Sequence, residues 1–303
     1  MKNKNKLIIV SSFISLLPSS FLVSCITTRL PDNTNKLIEN KFNISSNTAI
    51  LDEVRTKKFV EDLIKKTFKT NEVKKVSFLK SQEDSKHLFK EFKELSRKFF
   101  EMKNKGAEEK NKIKKKLQDF YSKNWLFIIE NLKEFVWTYD SWWMLPTKEA
   151  KNNEKYATHS KEFIEKIKEL NDEYQPKEKA FLNNYFNHFQ EGDESRESSQ
   201  AVFYLSKFDF LMRIFVSKNE NDTKFSFDKF IYFPPRNEQA GKRTQEVSIK
   251  ILSDAIHQGV IHGDKAGYDS FENVLVRNNG FPALGFLIDK EVWKEYEKTK
   301  KMK

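Results

Sequence analysis

The chain has 303 residues, with 55 Lys plus Arg against 44 Asp plus Glu, a formal net charge of +11 and one cysteine. A single thiol excludes an internal disulfide and a multi-thiolate metal centre, so a domain of this chain rests on its core alone. The length suits one large or two ordinary domains. The basic balance does not by itself indicate nucleic acid, because the lysines are interleaved with Glu and Asp along helix-like stretches, the pattern of a solvated face.

Residues 1–24 read as a secretory leader: Lys2, Lys4 and Lys6 form a positive start, residues 7–17 are largely apolar, Pro18 breaks the run, and small residues come after it. Leu22, Val23, Ser24 and Cys25 resemble the lipobox of bacterial lipoproteins. That resemblance implies cleavage before Cys25 and a diacylglyceryl group on its thiol, with fatty acyl chains such as palmitate holding the chain on the outer face of the cell membrane. Residues 25–35 are polar, contain Pro31, and read as the tether between lipid and domain.

Beyond the tether, helical spacing dominates. Val54, Phe59, Leu63 and Phe68 mark one helix, and Leu88, Phe92, Leu95 and Phe99 a second that ends near Gly106. From Ala107, apolar spacing through Ile113, Leu117, Phe120, Ile128, Leu132 and Val136 predicts a long helix, open to a break near Asn124 and stopped by Pro146. Residues 147–156 read as a loop, Phe163, Ile167, Leu170 and Tyr174 as a helix, residues 180–189 as a short helix, and residues 191–199 as a charged linker. Residues 201–216 are apolar on several faces and predict a buried helix. Phe225, Phe227, Phe230, Tyr232 and Phe233 look extended, residues 244–260 helical, and residues 274–288 a hairpin turning at Asn279-Gly280. The expected class is predominantly α: a multi-helix ectodomain with a small hairpin or strand element in the last third. Residues 36–190 form the expected helical domain with the aromatic cluster. Residues 200–303 form a mixed helix and hairpin region, open to being continuous with it.

Trp125, Trp137, Trp142 and Trp143 fall in one aromatic run with Phe127, Phe135 and Tyr139. With the leader, this run resembles the aromatic-motif surface membrane lipoproteins of mycoplasmas, as does a composition rich in Lys, Asn, Ile and Phe. The resemblance implies a membrane-attached surface protein without an assigned chemistry. Rings of this size bury ~150–250 Å² each, so Trp125, Phe127, Phe135 and Trp137 are expected as a structural cluster. Adjacent Trp142 and Trp143 cannot both point inward from a helix or turn, which leaves one partly exposed. Together with Tyr139 they are the candidate partner-binding residues, Trp and Tyr being frequent interface anchors.

Catalytic patterns are weak. His262, Gly263 and Asp264 echo a phosphotransferase loop, but Asn273 comes at the wrong spacing and no Gly-rich phosphate loop precedes them. Asp254, His257, His262 and Asp264 straddle two glycines and read as surface and capping residues rather than zinc ligands. No catalytic residue, metal or cofactor is therefore expected. The function expected is a membrane-anchored surface lipoprotein that binds a host or envelope protein or glycan without enzymatic activity. The alternative is an extracytoplasmic hydrolase or nuclease that scavenges nutrients. No specific nucleic-acid partner is expected, and the oligomeric state stays open.

Overall fold

The computed structural model describes residues 47–102, 105–143, 158–173, 180–182, 186, 188–196, 200–207, 209–217, 225–234 and 247–301. The leader, Cys25, the tether, and the loop expected over 147–156 lie outside the described residues. In chain order the helices are α1 (Asn47–Phe68), α2 (Glu72–Ser81), α3 (Ser85–Glu101), α4 (Ala107–Lys123), α5 (Trp125–Glu130), α6 (Lys161–Glu173), α7 (Ile249–Ile256), α8 (Lys265–Ser270) and α9 (Lys290–Lys301). The strands are β1 (Phe135–Trp142), β2 (Ala180–Phe181), β3 (His188–Glu191), β4 (Gln200–Lys207), β5 (Phe210–Ser217), β6 (Phe225–Tyr232) and β7 (Ala283–Asp289). They form one antiparallel sheet in the order β2-β1-β7-β6-β5-β4-β3.

This sheet corrects the expected fold class. It is not a small strand element of the last third: it starts at Phe135 and joins both expected regions through the pairing of β1 with β7. The buried helix expected over 201–216 is instead the β4–β5 hairpin. A strand covered on both faces carries the same continuous apolar run as a buried helix, and Val202, Phe203 and Tyr204 tip the balance towards strand. The short helix expected over 180–189 is replaced by β2 and β3. The long helix from Ala107 ends at Lys123, α5 begins after Asn124, and Phe135 opens a strand. The expected hairpin over 274–288 is absent. Phe271–Val276 form a π turn, and Gly280, at φ 88°, closes the helical turn before it rather than a two-strand turn.

Register fixes which helices cover each face. Phe203, Ile214 and Phe227 lie opposite one another across β4, β5 and β6, facing α1 and α4. Lys66 Nζ stands 4.3 Å from the Phe203 ring centre, and Tyr121 meets Phe227 edge-on. Their neighbours Tyr204 and Arg213 form the next row and point the other way, towards Glu194 and, beyond it, Ser253 of α7. The sheet is thus sandwiched between helices. Several caps hold them in place: Asp84 accepts from His87 N at the start of α3, and Asp289, at the end of β7, accepts from the Glu291 and Val292 amides of α9. Tyr121 donates to the Leu287 carbonyl at 2.7 Å, tying α4 to the middle of the sheet.

Candidate functional site

The aromatic run is core. Trp125 stacks between Phe78 and Phe225. Phe127 and Phe135 pack on Phe89, with Phe135 also edge-on to Phe92. Trp137 lies over Gly285, where an added Cβ would strike both its ring and the Thr138 carbonyl. Trp142 and Trp143 correct the expectation that one ring is partly exposed: they are 6% and 5% exposed. Register explains it. Trp142 ends β1 opposite Ala283, and Trp143, just past it, donates its N–H to the Pro282 carbonyl at 2.8 Å; successive extended residues face opposite sides, so neighbours that could not both be buried on a helix are both buried here. Trp143 packs edge-on to Phe271, while Trp142 meets the half-buried Tyr139. Partial burial and the Asp140 carboxylate push the Tyr139 hydroxyl up to about 12.

Two irregularities in the ladder build the most site-like feature. Tyr139 pairs with Gly285 and Ser141 with Leu284, leaving Asp140 as an extra residue in β1; Arg213 pairs with Lys229 and Ile214 with Phe227, leaving Asp228 extra in β6. Bulges re-aim side chains, and both aspartates line one cleft of about 140 Å³ whose wall is Gln118 and Tyr121 of α4. Asp140 is ion-paired with Lys114, and Asp228 with Arg213 and, at 3.2 Å, with Lys229. Burial, with a smaller contribution from Arg213, lowers the Lys229 ammonium to about 8.

A buried polar chain runs back from the cleft. Arg213 Nε donates to the Tyr204 hydroxyl at 3.0 Å, Tyr204 donates to Glu194 Oε1, and Ser253 donates to Glu194 Oε2 at 2.7 Å. Glu194 is 2% exposed, and Gly192 makes room for it, since a Cβ there would collide with its carboxylate. Burial raises the Tyr204 hydroxyl well above its ordinary range. Residues 191–199, expected as a linker, thus contribute a buried carboxylate. Sequence spacing carries no signal for this polar chain, whose members come from separate elements. In chemical terms, the cleft offers two carboxylates, each already engaged by a cation, rather than the free acid and free base that glycoside cleavage needs. Its volume falls below the ~300–1,000 Å³ of small-molecule sites and matches a single inserted side chain.

Two histidine clusters also stand out. His159 Nδ1 lies 2.6 Å from Glu272, which also accepts from Ser160 N and Oγ, while Ser160 Oγ accepts from Phe163 N at the start of α6. The carboxylate sits between serine and histidine, so this is a helix cap and not a nucleophile with its base. Burial pulls the His159 imidazole below its ordinary pKa, against the opposing pull of Glu272. Of the four residues weighed as zinc ligands, Asp254 and Asp264 are exposed, whereas His257 and His262 meet, Nε2 to Nε2, at 3.1 Å. No group of three or more His, Cys, Asp or Glu side chains placed to hold a metal occurs among the described residues.

Comparison with curated proteins finds no match, and comparison with solved structures finds none either. The aromatic cluster surface protein model matches residues 35–281, so the chain belongs to that family and is a surface protein.

Proposed function

We propose that this surface protein is a lipoprotein held on the outer face of the cell membrane through Cys25, and that its ectodomain is a non-enzymatic binding module whose contact point is the cleft between the two bulges. The leader and the small residues before Cys25 support the anchor, and no described helix is long and apolar enough to cross a membrane. The observation that carries the binding reading is that Asp140, Asp228 and Lys229 line one side-chain-sized cleft, with Asp140 ion-paired to Lys114 and Asp228 to Arg213 and Lys229. Fixed, complementary charges favour a polar or charged side chain of a host or envelope protein. Of the three aromatic residues expected to meet a partner, Tyr139 is the one that keeps part of its side chain accessible.

The test has two arms. Cys25→Ser should abolish incorporation of labelled fatty acid and release the chain from the membrane; labelling that persists would sink the anchor. Full-length protein on phosphatidylcholine vesicles should adhere to host cells, and Asp140→Asn should cut adhesion severalfold while thermal stability changes little. Adhesion identical in both forms would remove the cleft from the contact.

A further inference from the structure

After α7 the backbone widens into a π turn, His257–Ile261, in which His262 N donates to the His257 carbonyl at 3.2 Å. At 3.6 residues per turn, side chains five apart on an α-helix project about 140° from each other. The π turn narrows that offset and brings the two imidazoles face to edge, 72° apart in plane and 3.1 Å apart at Nε2. It is clamped from the side: Gly267 of α8 presses on Gly259 so closely that a Cβ would meet the Gly259 backbone and the Ala255 carbonyl. Asp264 N also donates to the Gln258 carbonyl at 2.8 Å. His257 is buried and His262 exposed, so the pair reaches solvent from one side.

We propose that this π turn carries a bidentate site for a divalent transition-metal ion, with His257 Nε2 and His262 Nε2 as its two protein ligands. An ion 2.0–2.1 Å from each nitrogen, with those nitrogens 3.1 Å apart, subtends roughly 100° between them, within the range of square-planar and tetrahedral coordination. Imidazole nitrogen suits zinc, copper and nickel rather than magnesium or calcium. Water completes the coordination shell. The pair comes preorganised by backbone hydrogen bonding, and π bulges recur at functional sites.

The test is calorimetric titration of full-length protein in detergent with Zn²⁺ and, separately, Ni²⁺. One equivalent should bind. His262→Ala, at an exposed position, should weaken binding by at least the ~10–100-fold that loss of a mere orienting partner costs a metal site, with an unchanged circular dichroism spectrum. His257→Gln, chosen to keep the buried volume, should weaken it as much, whereas His87→Ala on α3 should leave it intact. Absence of saturable binding, or binding that survives His262→Ala, would overturn the proposal and leave the pair as an imidazole–imidazole hydrogen bond.

Discussion

At β1 and β7 the sheet is held by rings and close backbone approach, with Trp137 over Gly285 and Phe135 against α3, whereas at β4, β5 and β6 one face carries Tyr204 and Arg213 bound to a buried glutamate, with Lys229 paired to Asp228 beside them. The first arrangement gains from area removed from water and tolerates few shape changes. The second gains little net energy, because desolvating charges offsets much of their attraction. It does demand that every partner be present, and so favours a single register for the hairpin. One sheet thus combines a stabilising end with a specifying end.

The largest effect is expected on the ring-packed face of β6, where Trp125 is 1% exposed between Phe78 and Phe225: Trp125→Ala should cost about 4 kcal/mol in urea unfolding. Next comes Arg213→Ala, which removes the guanidinium 3.4 Å from Glu194 and leaves that buried carboxylate without a cation, and should cost about 3 kcal/mol; a loss under that of Tyr204→Phe would mean that water, not Arg213, serves the carboxylate. Tyr204→Phe itself removes one neutral donor and should cost about 1 kcal/mol.

Two pH dependences sharpen the contrast further. Lys229 titrates near 8 in the fold against an ordinary 10.5. Below 8 both states hold the proton and the penalty is full; between 8 and 10.5 the unfolded chain binds more protons, so stability should rise with pH there. Lys229→Met should flatten that rise in melts taken across the window. His159 shifts downward from 6.5, so the unfolded state again binds more protons as pH falls below that value, and stability should drop. His159→Gln should reduce the drop, the smallest effect of the set.

Much of the first half was legible because amphipathic helices declare their period: α3 shows Leu88, Phe92 and Phe99 inward as spaced, and the break at Asn124 lies where the sequence allowed one. The strands were not, with the exceptions of β6 and of β7, whose residues 284–288 read as the second arm of a hairpin. A sheet covered on both faces loses the apolar-polar alternation that marks a strand, which is why residues 201–216 read as helix and why Trp142 and Trp143 read as neighbours competing for one side. Asn279-Gly280 supplied a genuine positive φ, but the same dihedral ends a helix as well as it turns a hairpin. The candidate site was less legible still. Asp140 and Asp228 matter because each is the extra residue of a bulge, a property of register between strands. His257 and His262 meet only because a helix widens by one residue per hydrogen bond.

The pairing of β1 with β7 also sets a clock. Trp137 finds its place beside Leu287, so in a chain made from its N-terminus, at roughly 5–20 residues per second, the strand Phe135–Trp142 waits on the order of ten seconds for its long partner. Through that interval an aromatic segment of high strand propensity and one charged side chain has an open edge towards any similar strand nearby. Folding is therefore gated by synthesis of the last part of the chain, and a nascent or truncated product ending before Ala283 keeps this aromatic strand exposed to its neighbours.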